Sequence, residues 1–218
     1  MFASRCRDWV DSIRTSTILR ATHMPGTVYF DLETQRSFND VGGSSNLSKM
    51  GVSVGCSFCT DSGEYRVYPE EELEDLVQLL TRAELVVGYN HLHFDYGVLE
   101  GYTVLDLGSQ TVNLDLMVDL KEILGRRIGL GQVAASTLGT GKTAVGVDAL
   151  KWWREHKTLV GEQARNPVTA YSEPLMKIAE YCAYDVKVTK CLHEYGRQHG
   201  HVKYDDGSGS QQEVEVNW

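Results

Sequence analysis

Thr27-Val28-Tyr29-Phe30-Asp31-Leu32-Glu33-Thr34 is rich in β-branched and aromatic residues, and apolar Val28, Phe30 and Leu32 recur at every second position. That is the pattern of a strand packed on a core. Asp31 and Glu33 are also two apart, so their side chains leave the strand on one face. An otherwise apolar, central strand thus sets two carboxylates side by side. Uncompensated buried charge costs several kcal/mol per ion. A divalent cation is the simplest compensation, and carboxylate oxygens are the donors that Mg²⁺ and Mn²⁺ prefer. Taken alone, the pair is equally explained by a solvated strand end.

Outward from this strand, residues 35–48 are rich in Ser, Asn and Gly and read as a loop. Residues 50–60 and 64–69 read as two further strands, which together with 27–34 suggest an antiparallel meander. Residues 70–83 read as an amphipathic helix, with Leu73, Leu76, Val77 and Leu80 at helical spacing and Glu70, Glu71, Glu72 and Glu74 crowding the first turn. Residues 85–90 read as a short buried strand, 94–101 as a helix, and the stretch after residues 113–116 as a helix that stops near Gly125. Helices are expected over 147–157 and 172–196, then a Gly/Ser turn at 205–210 and a last short strand at 213–217. Strands followed by alternating strands and helices indicate an α/β fold, a mixed sheet with helices on its faces. Residues 1–24 carry Arg5, Arg7, Arg14 and Arg20 among Ser and Thr with no clear period. They are expected to form a poorly ordered leader, with residues 25–218 as one domain.

The chain has 218 residues and a formal net charge of −9. That charge argues against coating of long duplexes by phosphate neutralisation. It suits a carboxylate cluster that becomes roughly neutral when loaded with cations. The five cysteines are odd in number and no apolar signal segment precedes them, which reads as free thiols in a reducing, cytoplasmic setting. Cys56-Ser-Phe-Cys59 has zinc-like spacing, but no second pair matches it and it lies inside an apolar strand, so a structural role is expected. No run of 18 apolar residues exists, so no membrane partner is expected.

Two further segments carry acids in chemically suggestive places. Gly88-Tyr-Asn-His-Leu-His-Phe-Asp95 takes the chain from a buried strand through a polar turn, with Asp95 opening a helix. Helix capping by Asp95 and a turn made by Asn90 explain it without any chemistry. Tyr181-Cys-Ala-Tyr-Asp185 lies on the long helix, where positions i and i+4 share a face; a core tyrosine beside an acid is the plain alternative. Together, Asp-x-Glu on the first strand, Asn-x-x-x-Phe-Asp after a later one and Tyr-x-x-x-Asp on a late helix resemble the DEDDy branch of the DEDD (DnaQ-like) exonuclease superfamily, with its RNase H-like fold. Asn113-Leu-Asp-Leu116, Leu138-Gly-Thr-Gly-Lys142 and Trp152-Trp153 add to a likeness with RNase H-like exonuclease domains of bacteria and viruses, extending over about residues 26–218.

The resemblance implies a metal-dependent 3′→5′ exonuclease acting on single-stranded DNA or RNA 3′ ends. Two divalent ions, Mg²⁺ or Mn²⁺, would be held by Asp31, Glu33, Asp95 and Asp185, with Asp31 bridging. Tyr181 would orient the attacking water or accept its proton. The sister branch has His five residues before the last Asp, where this chain has Glu180. Asn90, Phe94, Lys142 and Asp115 are candidate substrate contacts. Trp152 and Trp153 suit base stacking or, for at least one of them, core packing. Gly139-Thr-Gly-Lys-Thr143 invites a phosphate-loop reading, but Ser136 stands where the first glycine belongs. His91 and His93 read as polar loop groups. Two other functions stay open, a nucleic-acid-binding module without turnover and a hydrolase of dinucleotides or short oligonucleotides. The choice between DNA and RNA is not written in these residues.

Overall fold

The computed structural model describes residues 26–140, 146–163, 172–207 and 209–218. A five-stranded mixed sheet organises it. Strands β1 (Thr27–Thr34), β2 (Val52–Cys59) and β3 (Glu64–Tyr68) form the antiparallel meander, and β4 (Leu85–Gly88) and β5 (Asn113–Asp115) run parallel to β1, giving the order β3-β2-β1-β4-β5. β1 is central, as its apolar pattern requires. Between β1 and β2 the chain forms a short helix α1 (Phe38–Val41) and a 3₁₀ segment, Ser44–Lys49. The open loop expected over 35–48 is therefore replaced by structure. Its cause is local: the Ser37 hydroxyl accepts the Asp40 N–H while the Asp40 carboxylate accepts the Ser37 N–H, a reciprocal cap that satisfies otherwise orphaned donors.

One face of the sheet carries an apolar core at its centre. Val28, Phe30 and Leu32 pack there with Leu73, Leu76, Val77 and Leu80 of α2 (Leu73–Arg82). A 3₁₀ turn, Glu70–Glu72, leads into that helix, so the α-helical part is shorter than the acidic run suggested. Beyond β4 come α3 (Asp95–Leu99), α4 (Leu107–Gln110), α5 (Leu116–Leu124), α6 (Leu130–Leu138), α7 (Gly146–Gln163) and α8 (Glu173–His199). α5 stops where Gly125 adopts a left-handed conformation, as expected. The opposite face of the sheet, with Tyr29, Val54, Cys56 and Val87, is covered by α8 through Ile178, Cys182, Val186 and Leu192. Besides α1, three elements were not anticipated: α4, α6, and β6 (His201–Asp205), which pairs with β7 (Gln211–Glu215) in a separate hairpin. The last strand starts two residues earlier than expected.

Cys56 and Cys59 lie buried on β2 with free thiols, and Cys182 and Cys191 are also free; the zinc-like spacing is strand packing. Among the described residues, no helix is long and apolar enough to cross a membrane. The expected leader, residues 1–24, lies outside the described residues.

The pairing of β1 creates the site. β4 pairs with β1 only from Thr27 to Tyr29, whereas β2 stays paired as far as Thr34. Past Tyr29, one edge of β1 has lost its neighbouring strand, at the carboxyl end of the parallel strands, where open α/β sheets bind ligands. β4 leaves through a turn that needs a glycine. A Cβ on Gly88 would come within 2.8 Å of His91 Nδ1 and 2.9 Å of its Cβ. Asn90 follows with φ of +70°, a conformation that asparagine tolerates better than most residues.

Candidate active site

Asp31 and Glu33 project from β1 toward α8, which returns Asp185 to meet them. One oxygen from each of the three carboxylates lies within 4.8 Å of the others. The helix that delivers Asp185 is well specified. The Ser172 hydroxyl accepts the Leu175 N–H at its start, Pro174 sits in its first turn, and Gly200 closes it in a left-handed conformation. Ile178, Cys182 and Val186 form its buried stripe, which fixes the rotation that turns Tyr181 and Asp185 to the site. The Tyr181 hydroxyl stands beside the Asp185 carboxylate and favours its charged form.

Asp95 approaches from the other side. It opens α3 and is buried, and the backbone N–H groups of Leu32 and of Asp95 itself favour its charged form. It thus lies by the edge of β1 past Tyr29, the last residue that β4 pairs. Its other oxygen, Oδ1, is buried without a hydrogen-bond partner. Asp95 stands beside the three-carboxylate group, not within it.

The electrostatics are those of anions short of cations. Burial, then the charges of Asp95, Asp185 and Glu33, raise Asp31 well above the usual carboxylate range, and the Cys182 thiol opposes the shift. Burial, Asp185 and Asp95 do the same to Glu33. Burial pushes Asp95 up to about 7 and Asp185 up to about 6. Burial, followed by Asp185, Glu33 and Asp31, also raises Tyr181 above the ordinary phenol range, so its hydroxyl keeps its proton at neutral pH. Cys182 is raised for similar reasons and stays a thiol. Among the described residues, no Lys or Arg pairs with these four carboxylates. An all-oxygen donor set, mutual repulsion and an orphaned buried oxygen fit hard divalent cations such as Mg²⁺ or Mn²⁺.

A sequence profile of the RNase H superfamily matches residues 28–196, a span that takes in all of these side chains. The chain belongs to the RNase H superfamily. Its backbone is also similar to that of a family B DNA polymerase from the hyperthermophilic archaeon Pyrobaculum calidifontis. The TM-score is 0.52 at 18% sequence identity, covering 78% of this chain and 24% of the polymerase. At that identity the likeness speaks for the fold, and the chain spans about a quarter of the polymerase. No curated protein sequence matches it.

The remaining candidates of this RNase H-superfamily chain are distributed unevenly around the carboxylates. Asp115 is buried, and its carboxylate accepts four backbone N–H groups: Asn90 at 2.7 Å, Leu92 at 3.0 Å, Met117 at 3.1 Å and Val118 at 3.2 Å. It caps α5 and ties down the turn after β4, so its oxygens are engaged by the backbone. Asn90 Oδ1 accepts from Arg127 Nη2 at 2.8 Å. Phe94 is half-buried and meets the exposed ring of Phe38 on α1 edge-on, with centroids 5.8 Å apart. Lys142 lies outside the described residues. Gly139 is the left-handed stop of α6, and a helix, not a strand, precedes it, unlike a phosphate loop. Trp152 and Trp153 are partly buried against the second core cluster.

His91 corrects the sequence reading. It is fully buried, not a polar loop group, packing edge-on against Phe30 and Tyr96, with Nε2 3.1 Å from Asn113 Oδ1. The sequence also gave no weight to Cys182, whose Sγ approaches Asp31. Its place on the helix stripe, one residue after Tyr181, was the available signal, and it reads equally as core.

Proposed function

We propose that this chain is a metal-dependent 3′→5′ exonuclease that hydrolyses phosphodiester bonds at nucleic-acid 3′ ends, with single strands favoured. The observation that carries this reading is the convergence of Asp31, Glu33 and Asp185 within 4.8 Å, with Asp95 and its unpartnered oxygen beside them. The 3′→5′ polarity and the single-stranded preference come from the resemblance of the three motifs to DEDDy exonucleases.

In this reading Asp31, Glu33 and Asp185 would hold one divalent ion, and Asp95 with Asp31 would hold a second. Asp31 suits the shared position because its neighbour Asp95 and the pair Asp185 and Glu33 all press on it. When bound, two such ions supply positive charge to the scissile phosphate and favour ionisation of the attacking water. Tyr181 orients Asp185 and the water through a hydroxyl that retains its proton, which favours positioning over proton acceptance. Phe94, backed by Phe38, offers an aromatic surface to a terminal base, worth ~1–3 kcal/mol per stacked base. Asn90, held by Arg127, borders the same side.

The test is cleavage of 5′-labelled single-stranded DNA and RNA oligonucleotides with Mn²⁺, with Mg²⁺ and with EDTA, beside Asp31→Ala. A ladder shortening from the 3′ end, lost with EDTA and in the variant, is expected, and it also reads which sugar is preferred. No cleavage of either polymer, with hydrolysis of dinucleotides instead, would replace the polymer substrate by a short one. Metal-dependent binding of oligonucleotides without any hydrolysis would make the chain a binding module.

A further inference from the structure

Cys182 lies on the floor of the site, one residue after Tyr181 and three before Asp185. It is fully buried. Its Sγ is 3.3 Å from the Asp31 carbonyl oxygen and 3.6 Å from Asp31 Oδ2. We propose that the Cys182 thiol is a positioning residue that holds the Asp31 carboxylate in its metal-binding orientation by donating to Oδ2. The inference rests on the reading of Asp31 as a metal ligand.

Packing alone does not ask for a thiol here. The residues one turn to either side on the stripe, Ile178 and Val186, are purely apolar. At position 182 the side chain instead brings a polar atom against both acceptors of a single residue. A carboxylate of Asp31 turned by rotation about its side-chain bonds would lose its register with Glu33 and Asp185, and a donor to one oxygen prevents that rotation. Donors behind metal ligands commonly set affinity by 10–100-fold. The chemical choice of donor also fits. A lysine or arginine at this spot would neutralise Asp31 and compete with the cation. A thiol is neutral and a weak donor, so it fixes direction without cancelling charge. Its single proton has three acceptors in reach, the Asp31 carbonyl, Asp31 Oδ2 and, at 4.0 Å, the Val54 carbonyl, and the anionic carboxylate is the strongest of them. Neutralising Asp31 with a cation weakens that preference, so the thiol proton should respond to metal loading.

The experiment compares the unmodified chain with Cys182→Ala and Cys182→Ser, reading the Mn²⁺ concentration that half-protects each from thermal unfolding. Cys182→Ala is expected to shift this midpoint about tenfold or more towards higher Mn²⁺, and Cys182→Ser, which keeps a donor, to stay within about threefold. In the unmodified chain, infrared difference spectra with and without Mn²⁺ should show an S–H stretching band that moves, and that band should be missing from Cys182→Ser. This second reading holds even if the alanine variant does not fold. An unchanged midpoint in Cys182→Ala, equal impairment of both variants, or an S–H spectrum indifferent to saturating Mn²⁺ overturns the proposal while leaving the metal site standing. Absence of any Mn²⁺ protection in the unmodified chain removes the metal site, and this proposal with it.

Discussion

The Asp115 carboxylate bridges two segments, accepting the Asn90 N–H at 2.7 Å from the turn after β4 and the Met117 and Val118 N–H groups at 3.1 and 3.2 Å from the start of α5. With Leu92, four donors depend on one buried side chain. Replacing Asp115 by Ala leaves them without that acceptor, at a cost of about 3 kcal/mol or more, because each buried donor left unpaired costs roughly 1–3 kcal/mol. Urea unfolding should show this loss. At temperatures where the variant is still folded, its KM for an oligonucleotide should be close to that of the unmodified chain. A large KM increase without loss of stability would instead make Asp115 a substrate contact.

Stability in EDTA should fall as pH rises from 6.5 to 8.5. The folded values of Asp185 and Asp95, about 6 and 7, lie above the ordinary 3.8, and Asp31 and Glu33 are raised as well. The folded state therefore holds protons that the unfolded chain has already released. The resulting stabilisation is complete below the unfolded value and is lost as pH rises through the folded ones. His193, pushed down to about 4, works in the opposite sense, but only below its unfolded value of 6.5. Denaturant titrations over the lower half of this window thus avoid both His193 and the buried thiols Cys56 and Cys182, whose unfolded value of 9.0 lies above it. Mn²⁺ should offset the loss, and by more at pH 8.5 than at 6.5, since protons and cations compete for the same oxygens.

Asp185→Asn should abolish cleavage and yet raise stability in EDTA at pH 8, by about 1–3 kcal/mol given the size of the Asp185 shift. It removes one anion from a repelling group and keeps the shape. Differential scanning calorimetry with EDTA and with Mn²⁺ separates the two effects: the variant should melt higher without metal and gain less from adding it. A variant that is less stable in EDTA would mean that Asp185 is compensated in a way the four-carboxylate picture omits.

Tyr181→Phe removes the donor to Asp185 while keeping the ring. A fall of about 10–100-fold in kcat is expected, in line with loss of a group that orients a metal ligand, with the shape of the pH–rate profile preserved. Loss of a basic limb from that profile would identify Tyr181 as a proton acceptor.

Much of this arrangement is written locally in the chain. The alternation of Val28, Phe30 and Leu32 gives β1 and puts Asp31 and Glu33 on one face, and the stripe Ile178, Cys182, Val186 orients Tyr181 and Asp185 on α8. The less legible parts owe their structure to distant partners. α6 is rich in small residues, Gly131, Ala134, Ala135 and Ser136, whose burial carries little period. β6 buries only Val202 fully and depends on pairing with β7. His91 looks like a loop residue until Phe30, Tyr96 and Asn113 close around it. The role of Asp115 likewise follows from a turn 25 residues earlier in the chain, which no local pattern contains.

The bare edge of β1 beyond Tyr29 is also a hazard. Unpaired strand edges recruit strands from other molecules, and proteins guard them with charge or by covering them. Here the buried Asp95 stands against that edge, where the Leu32 N–H favours its charged form, and its negative charge would repel an incoming backbone carbonyl. Replacing Asp95 by Ala is therefore expected to raise the tendency of the chain to self-associate, which light scattering in EDTA would read separately from any effect on cleavage.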